Sequence, residues 1–151
     1  MTDNSNGSPR AQSIIVKVNG SALKRAMLDD LFEAEVETTL YLPSMFTLRF
    51  HDDANLTLMD SSTFNVGDPV EIELSDSVKN TMVNVMKGEI TAIEPEFGEN
   101  HQSILTVRGY DRRHRLNRGT KTRVFVQSTD DDIAKKIAGE AGLSVQVDSS
   151  G

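Results

Sequence analysis

From Ser13 onward, apolar and polar residues alternate with the period of strands that face a core on one side and water on the other. Ser13–Asn19 (SIIVKVN) is rich in β-branched residues and stops at Asn19-Gly20, a turn pair. Leu31–Leu42 alternates throughout. Phe32, Ala34, Val36, Thr38, Leu40 and Leu42 share one face, and Glu33, Glu35, Glu37, Thr39 and Tyr41 share the other. Pro43 ends the run because it has no N–H to give a ladder. Met45–Phe50 resumes with Phe46, Leu48 and Phe50 inward, and His51–Leu58 reads as loop. Phe64–Pro69 is a turn ahead of Val70, Ile72 and Leu74, which alternate with Glu71 and Glu73. Met82–Ile93 predicts a long strand, bent or bulged at Lys87-Gly88 and closed by Pro95. Ser103–Tyr110 and Thr120–Gln127 bring the count to seven strands, with no helix predicted before residue 128.

Long strands interrupted by glycine suit the corners of a small coiled barrel. The predicted fold is therefore mainly β, a small antiparallel β-barrel, with a sandwich as the alternative. At Ser128 the pattern changes. Ser128-Thr129-Asp130-Asp131 supplies a helix cap and acids for the positive end of a helix dipole. Ile133, Ala134, Ile137, Ala138 and Ala141 recur at helical spacing up to a stop at Gly142, and Leu143–Val147 starts another strand. The expected organisation is a disordered tail over residues 1–12, a barrel over 13–127, and one α-helix with the start of a second, incomplete domain over 128–151.

Composition narrows the function. The chain has 151 residues and a formal net charge of −7, which disfavours a whole-surface nucleic-acid or anionic-membrane binder. It has no cysteine, which removes disulfides, thiolate metal sites and thiol catalysis. The N-terminus has no apolar signal region, and no apolar run is longer than three residues, as at Ile14–Val16. Synthesis in the cytoplasm without a signal peptide and no membrane-spanning segment are the expectations.

Candidate chemistry is sparse. Glu33, Glu35 and Glu37, and Glu71 and Glu73, are what wet strand faces carry. Asp130–Asp132 lacks calcium-loop spacing and suits a helix N-terminus. His51, His101 and His114 stand apart, and no HExxH, GxSxG, phosphate-loop or GxGxxG motif occurs. The expectation is a protein that is not an enzyme, with no catalytic residues, metal, cofactor or small-molecule substrate. The one anomaly is Arg108–Arg123 (RGYDRRHRLNRGTKTR), which holds seven of the sixteen basic residues and a single acid, Asp111. Arginine serves protein interfaces and ion pairs. A single-stranded nucleic-acid-binding barrel using residues 108–123 is the alternative, weakened by the lone aromatic Tyr110.

These residues also carry a resemblance. FNVGDPVEIEL at Phe64–Leu74, KGEITAIEPEF at Lys87–Phe97, LTVRGYDRRHRLNRGTKTRVF at Leu105–Phe125 and STDDDIAKKIAGEAGL at Ser128–Leu143 resemble, in this order, the N-terminal part of the VgrG / phage late-control protein D family. SIIVKVNG at Ser13–Gly20 and LPSMFTLRF at Leu42–Phe50 suit its opening strands. The resemblance implies the phage-tail-hub type of barrel and a baseplate hub–spike protein of contractile phage tails, type VI secretion spikes or extracellular injection systems. It implies two barrels per chain and a homotrimer forming a pseudo-six-fold ring. Its partners would be the tail tube protein, the spike tip and other baseplate proteins. Its location would be a phage-tail-like particle, either a virion or a secreted injection system. On this basis Arg112, Arg113, Arg115 and Arg118 are the candidate subunit-interface residues, and the second barrel would begin where this sequence stops.

Overall fold

In a computed structural model, described for residues 13–52, 58–59, 61–76, 81–98 and 103–146, the alternating segments form one antiparallel sheet. The elements in chain order are β1 (Ile14–Val18), β2 (Ser21–Ala22), α1 (Arg25–Asp29), β3 (Leu31–Glu37), β4 (Met45–Asp52), β5 (Pro69–Asp76), β6 (Thr81–Phe97) and β7 (Ser103–Tyr110). A 3-10 helix (Arg112–Asn117) and α2 (Asp130–Glu140) follow. The sheet order is β2-β1-β5-β6-β7-β4-β3, so the mainly β expectation holds. Among the described residues β2 and β3 are the edges, and the ladder does not close between them.

The seventeen-residue strand β6 gives the sheet its shape. Its first half, Thr81–Glu89, pairs with β5, and its second half, Glu89–Phe97, pairs with β7. Two ladders thus meet end to end on one strand, and the sheet rolls there. The bend expected at Lys87-Gly88 is flanked by two register slips, one at Val85 opposite Ile72/Glu73 and one at Thr91 opposite Gly109/Arg108. The crossing is tight. A Cβ on Gly109 would sit 2.1 Å from the Glu89 carbonyl oxygen and 2.4 Å from the Phe46 ring, so only glycine fits. Inside the roll, Val16, Phe46, Leu48, Phe50, Ile72, Ile90 and Val107 are almost fully buried. At about 25 cal/mol per Å² of apolar area removed from water, burial of these strand faces is the main driving force for the sheet.

Several boundaries depart from expectation. In β3 the register slips at Phe32, so Leu31, Ala34 and Val36 sit opposite the core residues Phe50, Leu48 and Phe46. Phe32 is turned out with the glutamates, stacked on His51 at 4.3 Å beneath Arg49. β3 stops at Glu37, and Leu40, Tyr41 and Leu42 lie on an exposed loop rather than in a strand. β4 runs on through His51 to Asp52, whose carboxylate accepts the backbone N–H groups of Leu58 (2.9 Å) and Met59 (3.1 Å). Pro95 lies inside β6 rather than at its end. β5 no longer pairs there, so one edge is free and no N–H is required of it. The short helix α1 was not expected; Met27 and Leu28 pack it on the core.

Asn19 and Gly20 both take positive φ (52° and 77°) and turn β1 tightly into β2. Thr129 and Asp132 form a reciprocal capping box at the start of α2, and the Leu143 N–H closes its end on the Ala138 carbonyl (2.9 Å). Neither Thr120–Gln127 nor 143–146 joins a ladder, so the strands expected there are absent among the described residues. A strand pattern is local, but a ladder needs a neighbouring edge. The expected tail at 1–12, the loop residues 53–57, His101 and residues 147–151, with the end of the strand expected at Leu143–Val147, lie outside the described residues.

Candidate functional site

The arginine-rich segment leaves the sheet where β7 ends. Asp111 organises the exit. Its N–H donates to the Ser44 carbonyl (2.9 Å), and its carboxylate accepts from the N–H groups of Ser44 (2.8 Å) and Arg113 (2.8 Å). The Arg113 guanidinium adds a charge-assisted bond at 2.9 Å and reaches the Ser44 hydroxyl at 3.2 Å. Burial pushes the Asp111 carboxyl up, but the Arg113 guanidinium and the two amides outweigh it and hold the group below its ordinary value. Asp111 is thereby the N-cap of the 3-10 helix.

One turn further on, the segment is tied back to the rolled strand. Glu89, only 4% exposed at the centre of β6, takes the guanidinium of Arg115 through both carboxylate oxygens and that of Arg112 at 3.4 Å. Arg115 also donates to the Ala141 carbonyl (3.3 Å), so one side chain joins the two-ladder strand to the end of α2. His114 accepts from or donates to two neighbours, with Nδ1 2.7 Å from the Asp111 carbonyl and Nε2 2.7 Å from the Arg118 guanidinium. A neutral ring protonated on Nδ1 satisfies both contacts. Arg123 grips both carboxylate oxygens of Glu140, with Lys121 at 3.7 Å. The Arg123 bond holds the Glu140 carboxyl below its ordinary value against a smaller effect of desolvation.

Of the seven cations in Arg108–Arg123, six face a carboxylate: Arg108 on Glu94, Arg112 and Arg115 on Glu89, Arg113 on Asp111, Lys121 and Arg123 on Glu140. Arg118 faces His114 instead. Of the four candidate interface residues, Arg112, Arg113 and Arg115 are thus engaged within the chain, and Arg118 stands between two open grooves. One groove, about 610 Å³, runs between the 3-10 helix and α2 and is lined by Arg115, Arg118, Lys121, Phe125, Ile137 and Glu140. The other, about 580 Å³, is more apolar and is lined by Leu42, Pro43, Met45, Tyr110, His114 and Arg118.

The remaining candidates are absorbed structurally. Glu71 pairs with Lys87 (3.2 Å), Glu73 with Lys17 (2.7 Å) and Glu33 with Arg49 (3.1 Å), all across strands. The Glu73 hydrogen bond raises the Lys17 ammonium above its ordinary value. Asp130–Asp132 form the first turn of α2, where the Thr129 hydroxyl holds the Asp132 carboxyl low. Among the described residues no three His, Asp or Glu side chains cluster, and no helix is long and apolar enough to cross a membrane. Sequence reasoning missed Glu89. It is separated by 26 residues from Arg115, and its only local signal is an acid set between a glycine and the apolar Ile90.

Residues 10–151 match the family described as the Alg8 N-terminal domain. The chain belongs to that family. It is this family, rather than VgrG / late-control protein D, that the whole-chain match identifies. No curated protein matches the sequence of this Alg8 N-terminal domain. Among solved structures, its fold is similar to the 43 kDa tail protein of prophage MuSo2 from Shewanella oneidensis (TM-score 0.68, 16% identity, 93% of this chain and 40% of that one). It is also similar to the tail protein from Neisseria meningitidis MC58 (TM-score 0.55, 16% identity, 85% and 33%). The chain spans less than half the length of either, and at this identity the likeness is one of fold: the chain shares the fold of these two tail proteins.

Proposed function

We propose that this Alg8 N-terminal domain is a structural, non-catalytic component of a phage-tail-like particle, part of the baseplate hub that joins the tail tube to the spike. In this reading the chain assembles as a homotrimer, its barrels contribute to a pseudo-six-fold ring, and it resides in the particle after synthesis in the cytoplasm. The observation that carries the reading is the fold likeness over 93% of the chain to a prophage tail protein. The arginine segment supports it. Its cations brace the 3-10 helix and the end of α2 against β6 and fasten the following segment to α2, and do not form an open basic channel. Those same pairings weigh against a single-stranded nucleic-acid site, which needs cations free for phosphate.

The test is sedimentation of the native protein from its host lysate, detected with an antibody to residues of this domain. Pelleting with large, sheath-containing particles is the expected result. A native protein that stays at the top of the gradient overturns the hub reading. Salt-sensitive binding to single-stranded DNA, lost on Arg118→Glu, would then revive the alternative.

A further inference from the structure

The segment Thr120–Gln127 has the composition of a strand yet no ladder partner. Its faces differ. Arg123 and Phe125 turn toward α2, Arg123 on Glu140 and Phe125 beneath Lys136, while Val124 and Val126 point away and are 86% and 75% exposed. β3 is an edge of the sheet and is paired on one side only, with β4. Beside its open edge lies an apolar slot of about 440 Å³, lined by Ala34 and Val36 of β3, by Thr38 just beyond it, and by Ile14, Ile72 and Leu74 across the gap. An unpaired edge beside an apolar slot accepts an added strand, with main-chain bonds for affinity and alternate side chains in the slot.

Charge favours the same match. Residues 112–127 carry six Lys and Arg and no acid, whereas β3 (LFEAEVE) carries three glutamates and no cation. Glu35 and Glu37 enter no ion pair with the described residues, and Lys121 has a side chain 71% exposed. Within one copy the segment is fastened along α2 by Arg123–Glu140, so the strand that fits the slot comes from another molecule.

We propose that Thr120–Gln127 of one copy adds to the β3 edge of a second copy. Val124 and Val126 enter the slot, and Lys121 lies on the glutamate side. The two surfaces are different, so the contact is head-to-tail, the class that closes into rings. The proposal rests on the hub reading for its biological setting and names the contact between protomers.

The chain has no cysteine, so single-cysteine variants report contacts cleanly. Full chains carrying Ala34→Cys or Val124→Cys, one of them tagged, are mixed and treated with a short bismaleimide. A cross-link between the two variants, well above either self-cross-link, is expected. In a second measurement, Val124→Pro removes a ladder N–H at an exposed position. It is expected to weaken self-association about tenfold in sedimentation equilibrium, with an unchanged melting temperature. A chain that remains monomeric up to millimolar concentration, predominant self-cross-links, or a Val124→Pro chain that associates like the parent each overturns the proposal. The two readings separate. Particle-bound native protein without the mixed cross-link leaves the hub and removes this contact; the cross-link with a particle-free native protein does the reverse.

Discussion

The rolled sheet and the segment that follows it are held by different forces. In the sheet, Val16, Phe46, Leu48 and Val107 are removed from water completely, and register follows from keeping them there. From Asp111 to Gly142 only Ala138 is buried among the apolar residues, and attachment falls to Glu89, Asp111 and Glu140 receiving arginines. Apolar burial involves no titrating group, whereas exposed charge-assisted bonds are screened by salt and are lost when their carboxylates take a proton. The segment is therefore the part that conditions can loosen while the sheet stays intact.

The largest expected effect lies on the sheet side. Phe46→Ala leaves a cavity under Gly109 and should cost about 3–5 kcal/mol in denaturant unfolding, lowering the stability of the whole chain. Glu89→Ala should cost about 1–2 kcal/mol, because two guanidinium groups lose their shared carboxylate but remain open enough to water to be solvated. Its signature in hydrogen exchange is selective: amides of α2 and the 3-10 helix lose protection, while those of β1 and β5 keep theirs. Equal loss everywhere would erase the contrast between the two regions.

Further effects sharpen it. Asp111→Ala should cost about 1–2 kcal/mol at neutral pH through the lost cap and ion pair. The folded carboxyl titrates below its ordinary 3.8, so the ionised form stabilises the fold. That contribution is complete above the unfolded value and disappears as pH falls through the lower folded one. The stability gap between the parent and Asp111→Ala should accordingly shrink below about pH 3.8 in acid titration followed by circular dichroism. Last, Thr129→Ala should cost about 1 kcal/mol, read as earlier fraying of α2 with the sheet unchanged.

The same contrast explains what was legible in the sequence. Val70, Ile72, Leu105 and Val107 announce their strands because burial imposes alternation residue by residue. Thr129 and Asp132 announce their helix because a capping box lies within four residues. The Phe32 slip was hidden, since the sequence alternates through it and only the pairing with Arg49 and Phe50 reverses the faces. Thr120–Gln127 carries every local mark of a strand, but a ladder belongs to two segments and cannot be seen in one. The candidate site was legible as a cluster of arginines. Its organisation was not, because Glu89 and Glu140 lie far from their partners in the chain.

Because β6 serves the β5 ladder with one half and the β7 ladder with the other, neither half-sheet is complete until the whole strand is laid down. Pulling β6 out takes one partner from β5 and from β7 at once and removes Glu89, the anchor of the charged segment. Cooperativity is thus built into a single stretch of backbone.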